Sequence, residues 1–573
     1  MFYPKLDTLR QKAVTIHTFG GYNHTLDVAQ GEFYDMENLT SDGGPVLMPR
    51  QGRKAVAQTT SGNLIVKDGL CYVNQTTLVI NGYAVELGLT PGQKQLVSMG
   101  AYVVIFPDKK YVNTLDYADK GGLEARFVSQ GAVGFSLCHR DGTALTGVTV
   151  AEEVPEDPAN LAWWLDTGTG ELKQYSAPAE TWVTQEETYV RIAATGIGAA
   201  FREGDGITIS GVAAQSLQTL NGSACIQARG EDFVVIPGMI QNAVTQEPDQ
   251  GPVTLERTVP DMDFVVEADN RLWGCRYGPD RQGNIVNTLY ACKLGDFKNW
   301  HCYQGLSTDS YAVSLGADGP FTGAVTYLGQ PTFFRQDCLH KVYGSYPAAY
   351  RIQTTVCRGV EKNSGRSLAI VDEVLYYLSP EGVCAYDGSL PVCVSRKLGT
   401  RGFHHGVAGS RGSKFYISLL DRQEKAHLFV YDTRQKLWHR EDDFRPLAFC
   451  CCDDQLFACD GKILWQLTGD GEETVSWMAQ TGPLSPRDPH RRYISRITPR
   501  LYLEPGSRLR FYARYDGRGS WEPLATVGAS SLRSFRLPLR PRRCDFLELQ
   551  IRGTGKCKLY SLTLTLEQGS DGP

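Results

Sequence analysis

Adjacent acidic residues at Asp442-Asp443 and Asp453-Asp454 are the first place to look for chemistry, because paired carboxylates are what glycosidic hydrolysis uses. Among so many turn-forming dipeptides they read better as solvated turn residues. His404-His405 is the one adjacent histidine pair, and neighbouring strand residues point to opposite faces, so the two are not expected to share a metal. The same parity separates Cys450, Cys451 and Cys452. With 16 cysteines and no CxxC pair, the thiols read as free and mostly buried, as in a protein made in a reducing cytoplasm. Gly553-Thr554-Gly555-Lys556-Cys557 lacks the upstream glycine and the Ser/Thr of a phosphate-binding loop, and Gly196-Ile197-Gly198 lacks the third glycine of a dinucleotide fingerprint. Asp516-Gly517-Arg518-Gly519-Ser520-Trp521 has neither the serine nor the spacing of a sialidase-type Asp box. HExxH and G-x-S-x-G are absent. These absences lead us to assign no catalytic, cofactor-binding or metal-ligating residue and to expect a chain that is not an enzyme and needs no cofactor.

A basic cluster is more informative. Fourteen arginines and no lysine lie between 487 and 543, among them Arg491, Arg492, Arg496, Arg508, Arg510, Arg514, Arg540, Arg542 and Arg543. Arginine's planar fork favours fixed bidentate contacts with carboxylate or phosphate. By strand parity Arg508, Arg510 and Arg514 share one face. The cluster reads either as a surface that docks on acidic protein or lies near DNA, or as the wet face of an Arg-rich sheet. Residues 481–573 hold 17 Lys+Arg against 8 Asp+Glu in a chain of net charge −5, so a basic end of +9 follows a body of −14.

The elements that must carry these residues read as β. The 573 residues include 60 Gly, 28 Pro and 59 aromatics but only 7 Met, and the length predicts three or four domains. Ten Asp-Gly and two Asn-Gly dipeptides supply hairpin turns. Between them lie short β-branched and aromatic runs such as Tyr102 to Phe106 and Val374 to Leu378, and no amphipathic helical pattern persists for three turns. No basic n-region with an apolar stretch opens the chain, and no 18-residue apolar window marks a membrane span. From about 262 to 470 the strands recur in a regular grammar, with Glu267 to Gly274 read as one strand and Asn287 to Cys292 as the next. That rhythm is one of propeller blades. Residues 1–130 and 262–475 together supply about seven blades at roughly 40–50 residues each. Residues 131–261 break the rhythm and read as a small β domain inserted between blades, the alternative being a further irregular blade. Residues 476–573 alternate strictly, as in an antiparallel β-sandwich. The expected architecture is all-β: a propeller, an insert and a C-terminal Arg-rich sandwich.

The N-terminal segment carries a resemblance. Phe19-Gly20-Gly21-Tyr22-Asn23, Gly31-Glu32-Phe33, Asp35-Met36-Glu37-Asn38-Leu39 and Gly43-Gly44-Pro45-Val46-Leu47-Met48-Pro49-Arg50-Gln51-Gly52 resemble the opening of bacteriophage virion proteins. Asn270 to Gly274, Leu294 to Trp300 and Leu378 to Gly388 are similar to the same group, the packaged-DNA stabilisation or tail hub (plug) proteins of tailed phages and their prophage relatives. Over 1–130 and 262–475 the resemblance implies a virion structural protein at the head–tail connector or tail hub. Its implied partners are portal, adaptor or tail proteins, in a homo-oligomeric ring near packaged DNA and without a membrane span. The alternative is a carbohydrate-binding or glycan-active propeller at a cell surface, with Trp163, Trp164 and Trp182 of the insert stacking on sugars.

Overall fold

The computed structural model describes residues 11–60, 62–280, 283–469, 471, 473–484, 492–528, 530–540, 542 and 544–568. Among them the only helical elements are five short 3-10 turns, and every other element is a β-strand. Seven four-stranded antiparallel sheets form the blades of a propeller. Blades 1 to 6 span 64–86, 95–122, 264–314, 323–356, 369–393 and 404–440. Blade 7 combines Ala448–Cys452, Gln455–Cys459 and Ile463–Gln466 with an outermost strand, Lys54–Gln58, taken from before blade 1. This shared sheet closes the ring through strand pairing between Ile463–Gln466 and Lys54–Gln58.

Turn chemistry sets the hairpins between the first two strands. Asp269 and Asn270 both adopt positive φ, as do Asp372-Glu373 and Asp453-Asp454, in two-residue turns whose flanking residues pair directly. The stretch Glu267 to Gly274, expected as one strand, is therefore the end of Phe264–Ala268, a turn, and the start of Arg271–Pro279. Aromatic and aliphatic side chains fill the spaces between neighbouring blades, with Phe333, Phe334, Tyr377 and Phe415 fully buried.

The insert leaves and returns through paired strands, Ala125–Val128 and Thr254–Arg257, with Ala125 opposite Arg257. Two sheets enclose its core of Val133, Phe135, Ile192, Phe201 and Ile236, and a smaller sheet spans 148–184. Residues 125–128 thus belong to the insert, although the sequence reading assigned them to the propeller.

The sandwich differs more from expectation. Gln11–Ile16 pairs with Cys557–Gln568, and Glu32–Glu37 pairs with Ser476–Thr481. Residues 11–37, expected as propeller, therefore complete both sheets of the C-terminal sandwich. Their partners lie more than 400 residues away, beyond any local pattern. One continuous core runs from Phe19, Tyr22 and Phe33 into Phe429 and Trp438 of blade 6.

Charged groups lock this junction. Asn38, at φ 56, donates its backbone N–H to the Glu441 carbonyl, and its Oδ1 accepts from Arg50 Nε at 2.7 Å. Arg50 also pairs with Asp442 at 3.3 Å and Glu473 at 3.2 Å, and Arg53 pairs with Asp442 at 2.7 Å and Glu441 at 2.9 Å. Burial acts to raise the Asp442 carboxyl, but the Arg53 and Arg50 guanidiniums override it and hold it below the usual carboxylate range. Glu473 is lowered in the same way against its own burial, chiefly by Arg50. Carboxylates with depressed folded pKa values stabilise the fold above their unfolded pKa of about 4, and that contribution is lost as pH falls through the folded value. Thermal melts should show a Tm that is flat from about pH 7 to pH 5 and falls below about pH 4, with Arg53→Met losing about 2–4 kcal/mol at neutral pH by leaving Arg50 as the one cation, among the described residues, against Glu441 and Asp442.

Candidate functional site

The first strand of each blade faces the propeller axis, and at the end where those strands begin a cavity of about 770 Å³ opens. Its lining comes from blades 2 to 7 and includes Phe106, Phe264 and Phe321, together with Lys362, His405 and Arg445. A second, narrower cavity of about 270 Å³ continues along the axis, and Arg366 lines both.

Arg366 sits in the 3-10 turn Gly365–Ser367 that leads into blade 5. Its Nη1 donates to the carbonyls of Gly62 and Leu447, both at 2.7 Å, and its Nη2 donates to Asn63 Oδ1 at 2.8 Å and the Lys94 carbonyl at 3.0 Å. Oriented by these donors, the Gln93 amide oxygen accepts from Nε at 3.0 Å. One guanidinium thereby ties blade 5 to the segments entering blades 1, 2 and 7 across the axis. None of its partners is a carboxylate, and burial pulls its pKa below the ordinary arginine value while leaving it cationic at neutral pH.

The acids near the mouth are committed elsewhere. Asp108 pairs with Lys94 at 2.5 Å, both side chains being almost fully buried. Asp263 accepts from Arg276 Nη1 and from the Tyr277 N–H, each at 2.8 Å. Lys362 and Arg445 are exposed and have no ion-pair partner among the described residues. Thr322 Oγ1 in the mouth wall and Asn63 Nδ2 below it are buried without a hydrogen-bond partner among the described residues. The arrangement is an apolar-walled, positively charged cup with unused donors, suited to an anionic ligand that also offers an apolar face.

The residues singled out in the sequence distribute widely. A β-bulge between His404 and Val407, with His405 at φ 51, overrides strand parity and brings the two histidine rings to 4.9 Å. His404 is held by Glu424 at 3.0 Å, and His405 lines the mouth. Asp442 belongs to the junction network, and Asp453-Asp454 form a hairpin turn. Trp164 is buried, donating Nε1–H to the Ala151 carbonyl and packing edge-on against Trp182 at 5.4 Å. It is a packing residue rather than an open stacking platform, while Trp163 lies half-buried beside His139.

Arg491 and Arg543 lie outside the described residues, and Arg492 opens the strand Arg492–Leu503. Arg496 is exposed on the four-stranded sheet of the sandwich, away from Arg508 and Arg510 on the six-stranded sheet. Arg514 is neutralised by Glu548 at 2.5 Å and covers Trp521, while Arg542 pairs with Glu522 at 2.7 Å. Arg540 is exposed and accepts at its carbonyl from the Tyr515 hydroxyl. The shared face expected for Arg508, Arg510 and Arg514 thus splits into two unpaired cations and one paired one. The structure adds Arg552, opposite Arg510, whose signal was the period-2 continuation Glu548, Gln550, Arg552. The axial residues gave no linear signal, because Asn63, Lys94 and Arg366 sit in separate loops.

No family model matches the chain, and no curated protein matches it. Among solved structures it is similar to an exo-beta-1,3-galactanase from Phanerochaete chrysosporium, at 7% identity over 52% of this chain and 94% of that one, TM-score 0.22. It also matches a Pyrococcus horikoshii acylaminoacyl peptidase, at 10% identity over 56% of each chain, TM-score 0.22, and a Trypanosoma rangeli sialidase, at 8% over 90% and 96%, TM-score 0.17. All three are enzymes, and the expectation that this chain is not an enzyme is withdrawn on that finding. At these TM-scores the likeness assigns no reaction, substrate or residue.

Replacing Arg366 by Met would leave the Gly62, Lys94 and Leu447 carbonyls without their donor, at a cost of about 2–4 kcal/mol. Urea denaturation of the purified variant should show the midpoint falling accordingly, whereas Lys362→Met, at an exposed site, should change it by less than about 0.5 kcal/mol.

Proposed function

We propose that the protein is a carbohydrate-recognising β-propeller acting at a cell surface, and that its axial mouth takes an acidic saccharide. The observation that carries this reading is the cup itself: a cation on the floor without a carboxylate, two exposed cations on the rim and aromatic walls. Every Arg366 N–H is already donated, so Arg366 supplies field rather than contact. Direct contacts to a saccharide carboxylate or sulfate fall to Lys362 and Arg445, and Thr322 Oγ1 offers a hydroxyl. The apolar face of a pyranose ring would lie against the partly exposed Phe264.

Binding of the full chain to an array of neutral, uronate-bearing, sialylated and sulfated glycans tests this. Retention of acidic glycans that drops at least about tenfold in Arg445→Glu with Lys362→Glu is expected for a charge reversal at the contact. Equal retention of neutral glycans, or none at all, would overturn the reading. Assaying the retained glycans for released reducing sugar shows whether binding leads to cleavage.

A second reading rests on the N-terminal segment that resembles phage virion proteins. The residues that carry this resemblance form the fastening between sandwich and blade 6, with Tyr22, Phe33, Met36 and Leu39 buried and Asn38 and Arg50 in the junction network. On this reading the protein is a component of the head–tail connector or tail hub, in contact with portal, adaptor or tail proteins. Immunogold electron microscopy of phage particles from an induced culture of the producing bacterium should label the head–tail junction. Particles that carry none of the protein would sink it.

A further inference from the structure

The six-stranded sheet of the sandwich presents a basic groove that no described residue of the chain covers. A cavity of about 700 Å³ is lined by Arg508, Arg510, Arg552, Tyr512 and Met478, with Glu37 at one edge. Arg510 and Arg552 stand directly opposite on neighbouring strands, an arrangement of like charges that disfavours the sheet unless an anion lies over it. Arg552 is oriented by Gln550 Oε1 at 2.7 Å and lies over the Tyr512 ring at 5.3 Å. Among the described residues none of the three arginines makes an ion pair, in contrast to Arg514 and Arg542. Glu37 is two strands from Arg552, with Met478 between them in register.

The matching anion is in the same sequence. Residues 131–261 hold 6 Lys+Arg against 18 Asp+Glu, so the insert carries −12 of the chain's charge. The segment 152–157 concentrates it: Glu152, Glu153, Glu156 and Asp157 are all exposed, and Val154 between them is 60% exposed. Among the described residues no ion pair joins this loop to the groove of its own chain. The insert is seated on blade 3, where Gly206 N–H donates to Asn299 Oδ1 and Lys293 Nζ donates to the Gly204 carbonyl. The sandwich is seated on blades 5 and 6, where His24 N–H donates to the Lys397 carbonyl and Tyr22 packs on Phe429 with ring centroids 5.4 Å apart. Blades 3 and 6 are three positions apart in a ring of seven, so the insert and the sandwich are anchored on separate parts of the ring.

We propose that the Arg508–Arg510–Arg552 groove docks the acidic 152–157 loop of a second copy of this chain, giving head-to-tail association. The carboxylates meet the arginines and Val154 meets Met478 and Tyr512. Because the two surfaces differ, the contact is heterologous and repeats from copy to copy, closing into a ring or continuing as a filament. The proposal is independent of what the axial mouth binds.

Sedimentation velocity on the full chain tests it. Wild type should associate at low salt and dissociate at about 1 M salt, where the screening length is about 3 Å. Two charge-reversed chains are then prepared, one carrying Arg510→Glu and Arg552→Glu, the other Glu152→Arg, Glu153→Arg and Glu156→Arg. Each alone should associate at least about tenfold more weakly, since like charges now meet. Mixed in equal amounts they should recover association, because each loop again finds an opposite groove, and that recovery also shows that both variants are folded. A wild-type chain that stays monomeric at low salt, association unchanged by both reversals, or no recovery on mixing would overturn the proposal. So would nucleic acid that co-purifies with wild type and is lost in Arg510→Glu while the sedimentation coefficient stays the same, which would give the groove to nucleic acid.

Discussion

A ring of seven sheets leaves a hole along its axis that no single blade can fill, and here one guanidinium bridges it. Arg366 reaches from the start of blade 5 to carbonyls and an amide that belong to the approaches of blades 1, 2 and 7. Backbone groups in those approaches have no strand partner, so without Arg366 they would face the cavity unsatisfied. The same interaction divides the axis into a wide mouth and a narrow channel, and it places a positive charge at the floor of the mouth. Closure of the ring and the chemistry of its mouth therefore share one residue.

Around that pin the molecule is held by two further closures of different kinds. Blade 7 is completed by Lys54–Gln58, a backbone closure made through strand pairing. The junction with the sandwich is ionic: Arg50 and Arg53 neutralise Glu441, Asp442 and Glu473 where blades 6 and 7 meet the N-terminal segment. Buried ion pairs of this type specify geometry more than they add stability, since desolvation offsets much of the attraction. Their role here is register. Asn38 at positive φ can meet Arg50 and the Glu441 carbonyl together in one arrangement of sandwich against propeller.

What could be read from the sequence followed from how local each signal is. Blades announce themselves through short β-branched runs and turn dipeptides, which act within about ten residues, so the propeller and the sandwich were legible. The assignment of 11–37 was not, because Gln11 meets Glu567 and Met36 meets Ala479, and short alternating strands look the same in either sheet. The Arg-rich face was visible by parity, but parity does not show that Glu548 neutralises Arg514 or that Arg552 stands beside Arg510. His405 escaped for a related reason: a bulge changes the period by one residue and turns it into the mouth. The axial cup had no linear signature at all, since its lining is assembled from short stretches of blades 2 to 7 that lie far apart in the sequence.

The way the insert is attached has an evolutionary consequence. The chain departs for it and returns from it through the paired strands Ala125–Val128 and Thr254–Arg257, so its two ends lie side by side at a single point on the rim. Whatever lies between them can lengthen at little entropic cost, since each doubling of a closed loop costs only about 0.6 kcal/mol. Loss or exchange of the whole unit would leave Leu123 and Val259 still packed in the blade 2–blade 3 core. The insert is in this sense a cassette: descent can change its surface quickly while the seven blades beneath it keep their register.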